Sequence, residues 1–429
     1  MSENRDIIFK GDETVNRIIR ISKIYIIAFL CWLGLGIVTG AVCGVVGAAF
    51  AKSIDVVTDL RAEFSWLLYL LPVGGVAIVW LYKLCRVTDI GTNHVFESVR
   101  SEKPVSPFLA PAIFIGSVIT HMFGGSAGRE GAALQLGGSI STALAKLFRL
   151  NEKARHVLTM CGMGALFSAL FGTPLGACVF AIEVVSVGRF CSAAVFPGLV
   201  ASITAYGVSV MLGTTPERFI PSAVPELALV PLLKVVAIAI AGAVVSVIFC
   251  KAMHFAGEKL KQIFKNGFLR AAVGGIAVIL LTLAVNTTDY NGGGIHVIAR
   301  IFETGEVSNV AFIMKIIFTA ITIGAGFKGG EIVPTMFIGA TMGGAIATFT
   351  GLNPGFGAAV GISALLCGVT NCPIATILLS IELFGAQGMI FYALSVAVSF
   401  LLSGYASLYT GQRFAFSKLT DDKAGADNI

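Results

Sequence analysis

The stretch Phe123-Gly124-Gly125-Ser126-Ala127-Gly128-Arg129-Glu130-Gly131-Ala132-Ala133 places a carboxylate, Glu130, beside a cation, Arg129. The next charged residue is Lys146, so Glu130 precedes a long run of mostly apolar or small residues. A charge is costly at membrane depth, and an isolated carboxylate there usually faces a cavity or an ion pathway. The flanking glycines allow the backbone to bend and to approach a ligand closely. We therefore expect a loop that runs into a helix N-terminus, where free N–H groups attract an anion and the carboxylate competes with it.

The composition indicates an integral membrane protein. Hydrophobic residues make up 56% of the 429 residues and charged residues only 13%, with a mean hydropathy of +0.88, whereas a soluble domain carries about 25% charged residues. The 50 glycines favour transmembrane helices that are closely packed or broken inside the membrane. The net charge of +6 fits basic residues that flank membrane segments. We therefore expect a lipid bilayer as the surroundings and no nucleic acid as a partner.

Enzyme chemistry is not indicated by the sequence. Ser126 lies in Gly125-Ser126-Ala127-Gly128, which is not a GxSxG elbow, and the sequence has no HExxH zinc-protease motif. His94 and His121 do not have the spacing of metal ligands. We expect a protein that is not an enzyme and that has neither a metal site nor a cofactor.

Apolar and polar segments divide the chain into five predicted parts. They are a cytoplasmic N-terminal helix (1–23), a first transmembrane repeat (24–212), a connector (213–226), a second transmembrane repeat (227–409) and a short C-terminal tail without a soluble regulatory domain (410–429). Residues 156–187 and 357–383 are each predicted as one apolar segment. Basic residues are frequent before residue 24 and between residues 251 and 270, which the positive-inside rule places in the cytoplasm. We expect both termini on the cytoplasmic side of a bacterial inner membrane.

The two halves of the chain resemble each other. The matched pairs are Pro174 with Pro373 and Glu183 with Glu382 at an offset of 199 residues, and Gly128-Arg129-Glu130 with Gly329-Gly330-Glu331 at an offset of 201 residues. The charges of the loops predict that the first half begins inside and the second half outside, so the repeats are inverted in the membrane. Inverted repeats with broken helices bind their substrate near the midplane, between the halves.

These motifs resemble those of the CLC family of chloride channels and anion/proton antiporters. Gly128-Arg129-Glu130-Gly131 is similar to the family's GREGP or GKEGP motif, whose glutamate occupies the anion site and carries protons. Gly330-Glu331-Ile332-Val333-Pro334 falls at the GxFxP position, and Gly91-Thr92-Asn93-His94-Val95 at the GSGIP position. Leu408-Tyr409 falls where the last helix offers a tyrosine hydroxyl to the anion. The resemblance implies an all-α integral membrane protein of the CLC-type fold, with two inverted-topology repeats of broken and tilted transmembrane helices.

Several positions depart from the general family pattern. Ala132 stands at the proline of GREGP, and Thr92 with Asn93 stands at the start of the GSGIP motif. Val184 falls where the family has a second, internal proton glutamate. A carboxylate, Glu331, directly follows two glycines in the second half. This set of departures is similar to the fluoride-exporting branch of bacterial CLC proteins.

The predicted site combines residue chemistry with this resemblance. Glu130 is predicted as the gate, because its carboxylate competes with the anion when charged and admits the anion when protonated. Glu331 is predicted to relay protons in place of the missing internal glutamate. A fluoride site needs short-range O–H and N–H donors to replace strongly bound water. The predicted anion-binding residues are Gly91, Thr92, Asn93, Arg129, Gly131, Ile332, Val333 and Tyr409.

The carboxylates also have structural interpretations. Glu130 could form a salt bridge with Arg129, and Glu331 could fix its loop as a helix N-terminal carboxylate paired with Lys328. By the repeat symmetry, Glu183 and Glu382 are predicted to cap or pair near helix ends instead of transporting ions.

The proposed donors have alternatives of the same kind. Thr92 and Asn93 could cap a helix that follows Gly91. Tyr409 could be an aromatic anchor at the membrane interface, and Tyr405 competes with it as the anion ligand.

The expected function is a fluoride/proton antiporter that exports fluoride from the bacterial cytoplasm with the proton gradient. The family resemblance adds the expectation of a homodimer with one pathway per subunit. A chloride/proton antiporter and a chloride channel of the same family are the alternatives. The retained Glu130 favours coupled exchange over a channel, and Val184 at the internal glutamate position argues against chloride/proton exchange.

Overall fold

The computed structural model describes residues 3–87, 91–101 and 105–418, and the described chain forms sixteen α-helices. The eight helices of the first half are α1 (Glu3–Glu63), α2 (Leu71–Leu84), α3 (Thr92–Arg100), α4 (Leu109–Met122), α5 (Glu130–Leu147), α6 (Glu152–Phe171), α7 (Pro174–Glu183) and α8 (Val195–Met211). Those of the second half are α9 (Leu229–Ile263), α10 (Gly267–Val285), α11 (Ile295–Thr304), α12 (Ala311–Ala325), α13 (Ile332–Thr350), α14 (Pro354–Thr370), α15 (Pro373–Phe384) and α16 (Met389–Leu402).

The two halves therefore repeat one order of eight helices, separated by a connector without regular helix. Short 3-10 turns at Ser65–Leu70, Ser192–Ala194 and Ala386–Gly388 precede α2, α8 and α16. Seven of the described helical segments are long and apolar enough to cross a membrane, and six apolar helices are shorter. This alternation of long and short helices is the broken, all-helical architecture predicted from the sequence.

The N-terminal helix continues through the predicted boundary between residues 23 and 24. The helix α1 runs without a break from Glu3 to Glu63, because residues 3–63 contain no proline that would remove a helical hydrogen bond. The predicted C-terminal tail is described only as far as residue 418. Residues 419–429 of that tail, and residues 1 and 2 of the predicted N-terminal helix, lie outside the described residues.

The predictions of single apolar segments over residues 156–187 and 357–383 were wrong. In the first half the chain breaks after α6 at Gly172, which has a left-handed backbone, and α7 begins at Pro174. In the second half it breaks after α14 at Asn371, also left-handed, and α15 begins at Pro373. A left-handed residue ends a helix, and proline is favoured at the first helical position, where its missing N–H costs nothing.

The helices α7 and α15 cap each other across the two halves. The carboxylate of Glu183 accepts hydrogen bonds from the backbone N–H groups of Ile374 (3.2 Å) and Ala375 (2.8 Å) at the start of α15. The carboxylate of Glu382 accepts the corresponding bonds from Leu175 (3.0 Å) and Gly176 (2.8 Å) at the start of α7. The prediction that these two glutamates are structural caps is confirmed.

The segment after α16 returns to the first half of the chain. A two-residue strand, β2 (Arg413–Phe414), pairs in parallel with β1 (Ser186–Val187), which follows α7. The Leu408 N–H also donates to the Val369 carbonyl of α14. These contacts hold the loop that carries Tyr409 against both halves.

Candidate functional site

Two glycine loops meet where the halves join, and each loop runs into a helix. Glu130 is the first residue of α5, and Glu331 is the N-cap of α13. Gly128 and Gly330 form an antiparallel bridge, with N–H to carbonyl distances of 2.7 Å and 2.6 Å. The predicted loop into a helix N-terminus at Glu130 is confirmed, and its repeat partner lies directly against it.

The bridge requires glycine because the two backbones are in contact. A Cβ atom on Gly330 would lie 2.2 Å from the Gly131 nitrogen, closer than any real Cβ contact. A Cβ atom on Gly128 would lie 2.7 Å from Oε2 of Glu130 and 2.9 Å from the Val333 Cβ. Side chains at either position would push the two helix N-termini apart.

Glu130 is buried at this junction, with 1% of its surface exposed. Its Oε2 atom accepts a hydrogen bond from the backbone N–H of Arg129 at 3.0 Å. The carboxylate therefore folds back over the start of its own helix, where free N–H groups stabilise an anion. The N-cap position has no side-chain hydrogen bond, so the first turn of α5 is open to a carboxylate or a diffusing anion.

Arg129 binds acidic groups on one side of the junction. Its guanidinium lies 2.8 Å from Oε1 of Glu217 in the connector and 3.2 Å from Oδ1 of Asp55 on α1. Its Nε atom lies 3.6 Å from Oε1 of Glu130, so the salt bridge that the sequence left open is present as one of three contacts. Arg129, Asp55 and Glu217 line a cavity of about 230 Å³, here called the Arg129 cavity, together with Gly128 and other residues.

A larger cavity of about 450 Å³ lies on the other side of the bridge and is here called the Lys328 cavity. It contains five of the ten predicted site residues, and its polar lining is Thr92, Asn93, Gln135, His254, Glu258, Lys261, Arg270, Lys328, Glu331, Tyr409 and Thr410, with Gly91 at its edge. Lys261 and Arg270 belong to the basic region between residues 251 and 270. Glu130 lines neither cavity, but its neighbours Gly128 and Arg129 line the Arg129 cavity, and Glu331 of the Lys328 cavity lies against Gly131.

Two hydroxyl donors in the Lys328 cavity are available to an anion. The Tyr409 hydroxyl is buried and has no hydrogen-bond partner among the described residues. Tyr409 lines this cavity together with Glu331. The Thr92 hydroxyl oxygen accepts a hydrogen bond from Nε2 of Gln135 at 3.3 Å, which leaves the O–H of Thr92 free to donate.

The competing tyrosine has other contacts. The Tyr405 hydroxyl lies 2.9 Å from the Ser417 hydroxyl and accepts a bond from the Lys418 N–H at 3.3 Å. Among the described tyrosines of this loop, the Tyr409 hydroxyl is thus the one without a partner. This favours Tyr409 over Tyr405 as an anion ligand.

Asn93 forms hydrogen bonds with the segment that directly follows Tyr409. Its amide nitrogen donates to the Thr410 hydroxyl at 2.7 Å, and its amide oxygen accepts from the Gly411 N–H at 2.9 Å. Gly91, with a positive φ of 116°, is the N-cap of α3, and neither Thr92 nor Asn93 caps that helix. Asn93 in this conformation holds the loop that carries Tyr409, and this contact uses one of its two amide N–H groups.

Glu331, at the start of α13, lines the Lys328 cavity. Its Oε2 atom is 3.2 Å from the Cβ position of Gly131, so the carboxylate rests against the Glu130 loop. Glu331 is partly exposed and forms no ion pair with the described residues around it. The Lys328 ammonium lies 4.6 Å from the Tyr82 ring centre instead. Ile332 is buried, and Val333 lines the Arg129 cavity.

Sequence reasoning missed several polar groups around the site. Gln135 lies in the run after Glu130 that was treated as apolar or small, and a lone amide in such a helix was the available signal. Lys315 of α12 is fully buried and donates to the carbonyls of Tyr290 (3.0 Å) and Gly292 (2.7 Å). These bonds fix the glycine loop that lines the Arg129 cavity. The described residues contain no group of three or more His, Cys, Asp or Glu side chains that could hold a metal ion.

The position of the internal proton glutamate is occupied by an apolar side chain. Val184 is fully buried, and its carbonyl accepts a hydrogen bond from Gln412 at 3.1 Å. The neighbouring carboxylate of Glu183 is occupied by the α15 cap. A proton route through this position would have no titratable side chain at residue 184.

Comparisons with known proteins, over most of the chain, indicate a single protein family. The family model described as "Voltage gated chloride channel" matches residues 74–404. The chain is 34% identical over 395 residues to a chloride/fluoride channel protein of Pseudomonas syringae pv. tomato, covering 90% of this chain and 87% of that protein. It is 26% identical over 414 residues to an H(+)/Cl(-) exchange transporter of Vibrio cholerae, covering 89% and 87%. The crystal structure of a CLC-type fluoride/proton antiporter superposes with a TM-score of 0.87 at 31% identity, covering 90% of this chain and 98% of that one.

Proposed function

The chain belongs to the CLC family, the family of voltage gated chloride channels, and we propose that it exchanges fluoride for protons across a bacterial inner membrane. The observation that carries the proposal is the position of Glu130. This carboxylate is buried on a helix N-terminus between two cavities, so the carboxylate and an anion compete for one place. The similarity to a solved fluoride/proton antiporter at 31% identity and to a chloride/fluoride channel protein at 34% identity supports fluoride as the anion.

In the proposed cycle, Glu130 is the gate. A charged Glu130 occupies the N-terminus of α5 and closes the path between the cavities. Protonation from the Arg129 cavity neutralises the side chain, which leaves the helix N-terminus and admits fluoride from the Lys328 cavity. Loss of the proton to the Lys328 side restores the charge of Glu130, and the returning carboxylate expels fluoride into the Arg129 cavity, so one group couples the two opposing fluxes.

We assign the fluoride ligands in the Lys328 cavity to Tyr409 and Thr92. Both offer an O–H group that has no acceptor among the described residues. Backbone N–H groups of Gly131, Ile332 and Val333 lie in the open first turns of α5 and α13 and complete the donor set. Short donors of this kind replace the tightly bound water of fluoride.

Glu331 is proposed to carry the proton on the Lys328 side. It lines the cavity together with Tyr409 and contacts the Glu130 loop. Val184 is buried and has no titratable side chain, so it cannot serve the proton route that the general family pattern implies. A carboxylate at residue 331 supplies a titratable group at the same junction.

The oligomeric state and the orientation in the membrane are proposed from the family resemblance. The protein is a homodimer with one pathway per subunit, and both termini lie in the cytoplasm. The mass of the detergent-solubilised protein by light scattering tests the dimer. Labelling of single cysteines near residue 265 and near residue 215 in intact cells tests the orientation.

The experiment that tests the function is ion efflux from liposomes that contain the purified protein. Fluoride and chloride are compared side by side, and the external pH is recorded. We expect fluoride efflux with opposing proton movement and little chloride efflux. Equal or faster chloride efflux would reassign the substrate to chloride, and fluoride flux without proton movement would make the protein a channel and remove Glu130 from its role.

A further inference from the structure

A second basic cavity lies beside the Lys328 cavity, between the end of α2 and the start of α10. Its volume is about 430 Å³. Four cationic side chains line it: Lys83, Arg86, Arg270 and Lys328. Among the described residues that line it there is no aspartate or glutamate. A group of four cations attracts an anion, and guanidinium groups bind phosphate oxygens in a bidentate geometry.

The walls of this cavity are apolar. Ile78, Val79 and Tyr82 of α2 form much of the lining, and Lys328 lies over the Tyr82 ring. The Lys83 ammonium lies 4.3 Å from the centre of the Phe268 ring. Cationic groups at the mouth and apolar walls behind them match a phosphate that carries a hydrocarbon chain better than they match a small hydrated ion.

The cavity lies at the depth of a membrane–water interface. On α2, Trp80 is 60% exposed and Leu84 is 64% exposed, so this face of the helix meets lipid. Tryptophan is enriched at the headgroup level of a bilayer, and basic residues next to it bind anionic lipid. Lys83 follows Trp80 by about one turn and Arg86 lies just past the end of α2, which places both among the headgroups.

We propose that this cavity binds the phosphate group of an anionic phospholipid. The lipid comes from the leaflet on the side of the basic residues 251–270, and its acyl chain lies along α2. Lys328 and Arg270 line both this cavity and the Lys328 cavity. A bound phosphate therefore lowers the positive charge that draws anions into the pathway, and the lipid composition sets how readily the transporter captures its substrate.

The test is native mass spectrometry of the purified full-length protein with phosphatidylglycerol, with phosphatidylcholine, or with inorganic phosphate alone. The variant is the double substitution Lys83→Gln and Arg86→Gln. The matched control is Lys146→Gln with Arg149→Gln, which has the same spacing and loss of charge at the end of α5. Arg86 and Arg149 both have a φ of 51°, so the two helix ends are alike, but the control pair does not line this cavity.

We expect selective retention of phosphatidylglycerol, weakened on the order of 30-fold by loss of the two cations in the variant and unchanged in the control. Equal retention of both lipids, or equal weakening in variant and control, would overturn the proposal. Displacement of the lipid by millimolar inorganic phosphate would reassign the cavity to a free anion and also overturn it. The measurement involves no fluoride, so it succeeds or fails independently of the transport proposal.

Discussion

Two pairs of repeat-related glutamates in this protein have very different surroundings. Glu183 and Glu382 each accept two backbone N–H bonds from the other half of the chain, with nearly the same distances. Glu130 and Glu331 are equally well matched in sequence but not in space. Glu130 is buried and bonds to its own loop, whereas Glu331 is partly exposed in the Lys328 cavity. Where the repeat symmetry is kept the carboxylate is structural, and where it is broken the carboxylate is available for chemistry.

The asymmetry begins at the glycine bridge. The sequence offset of 201 residues pairs Gly128 with Gly329, but the structure pairs Gly128 with Gly330. This shift of one residue matches the helix starts, because the N-caps Arg129 and Glu331 are also 202 residues apart. The two glutamates therefore occupy different positions: Glu130 is the first residue of α5, and Glu331 is the N-cap of α13 in the wall of the Lys328 cavity.

The sharpest test of the comparison is Glu130→Gln, for which the largest effect is expected. A permanently neutral side chain cannot cycle, so proton-coupled fluoride efflux should be abolished in liposomes while the elution volume of the protein stays unchanged. Glu152→Gln, at the exposed start of α6, is the control for loss of one carboxylate near a helix N-terminus. Wild-type coupling in the Glu130 variant would place both pairs in the structural class.

The symmetric pair should respond in stability instead. Glu183→Ala leaves two N–H groups at the start of α15 without an acceptor and should lower the free energy of unfolding by about 2–4 kcal/mol. Glu382→Ala should have a smaller effect, because Glu382 is partly exposed and water can replace it. Unfolding in a denaturing detergent, followed by tryptophan fluorescence, measures both changes. A normal stability with lost coupling in either variant would move that residue into the transport pathway.

Tyr409→Phe tests whether the space between the unequal glutamates is the anion site. A hydrogen bond to a charged group contributes about 1.5–3 kcal/mol, so fluoride affinity should fall about tenfold or more. The measurement is the concentration dependence of fluoride efflux. Tyr405→Phe is the control, since its hydroxyl already bonds to Ser417. A larger effect at residue 405 would move the site away from Glu130 and Glu331.

Glu331→Gln should give the smallest of these effects. If the side chain relays protons, its neutral isostere should slow coupled efflux about tenfold, or about 1.4 kcal/mol, because water can still deliver protons through the open cavity. The pH dependence of efflux on the Lys328 side should flatten in parallel. Full activity with an unchanged pH profile would leave Glu331 as a residue that only shapes the loop.

The local features of the site could be predicted from the sequence because they depend on neighbouring residues. Glycines around Glu130 in an apolar stretch were enough to predict the loop and the helix that follows it. The constant offset between the halves was enough to predict that Glu183 and Glu382 are caps, since symmetry related them without any knowledge of the fold.

The features that could not be predicted from the sequence depend on contacts between distant parts of the chain. The partners of Asn93 are residues 410 and 411, and nothing in its local sequence indicates them. Lys315 was missed because its acceptors are carbonyl groups of a loop more than twenty residues away. The breaks at Pro174 and Pro373 were missed although both prolines were identified, because hydropathy alone does not distinguish one long helix from two short ones.

The glycine bridge also limits how the protein can move. Its two hydrogen bonds join the halves at the junction of the pathway, and breaking buried backbone bonds away from water costs several kcal/mol. Many transporters expose their site by rocking one repeat against the other. Here the hydrogen bonds of the glycine bridge and the reciprocal caps of α7 and α15 oppose such a motion. We infer that access alternates within a nearly rigid frame, through rotation of a few side chains, and that turnover is set by local barriers and not by domain rearrangement.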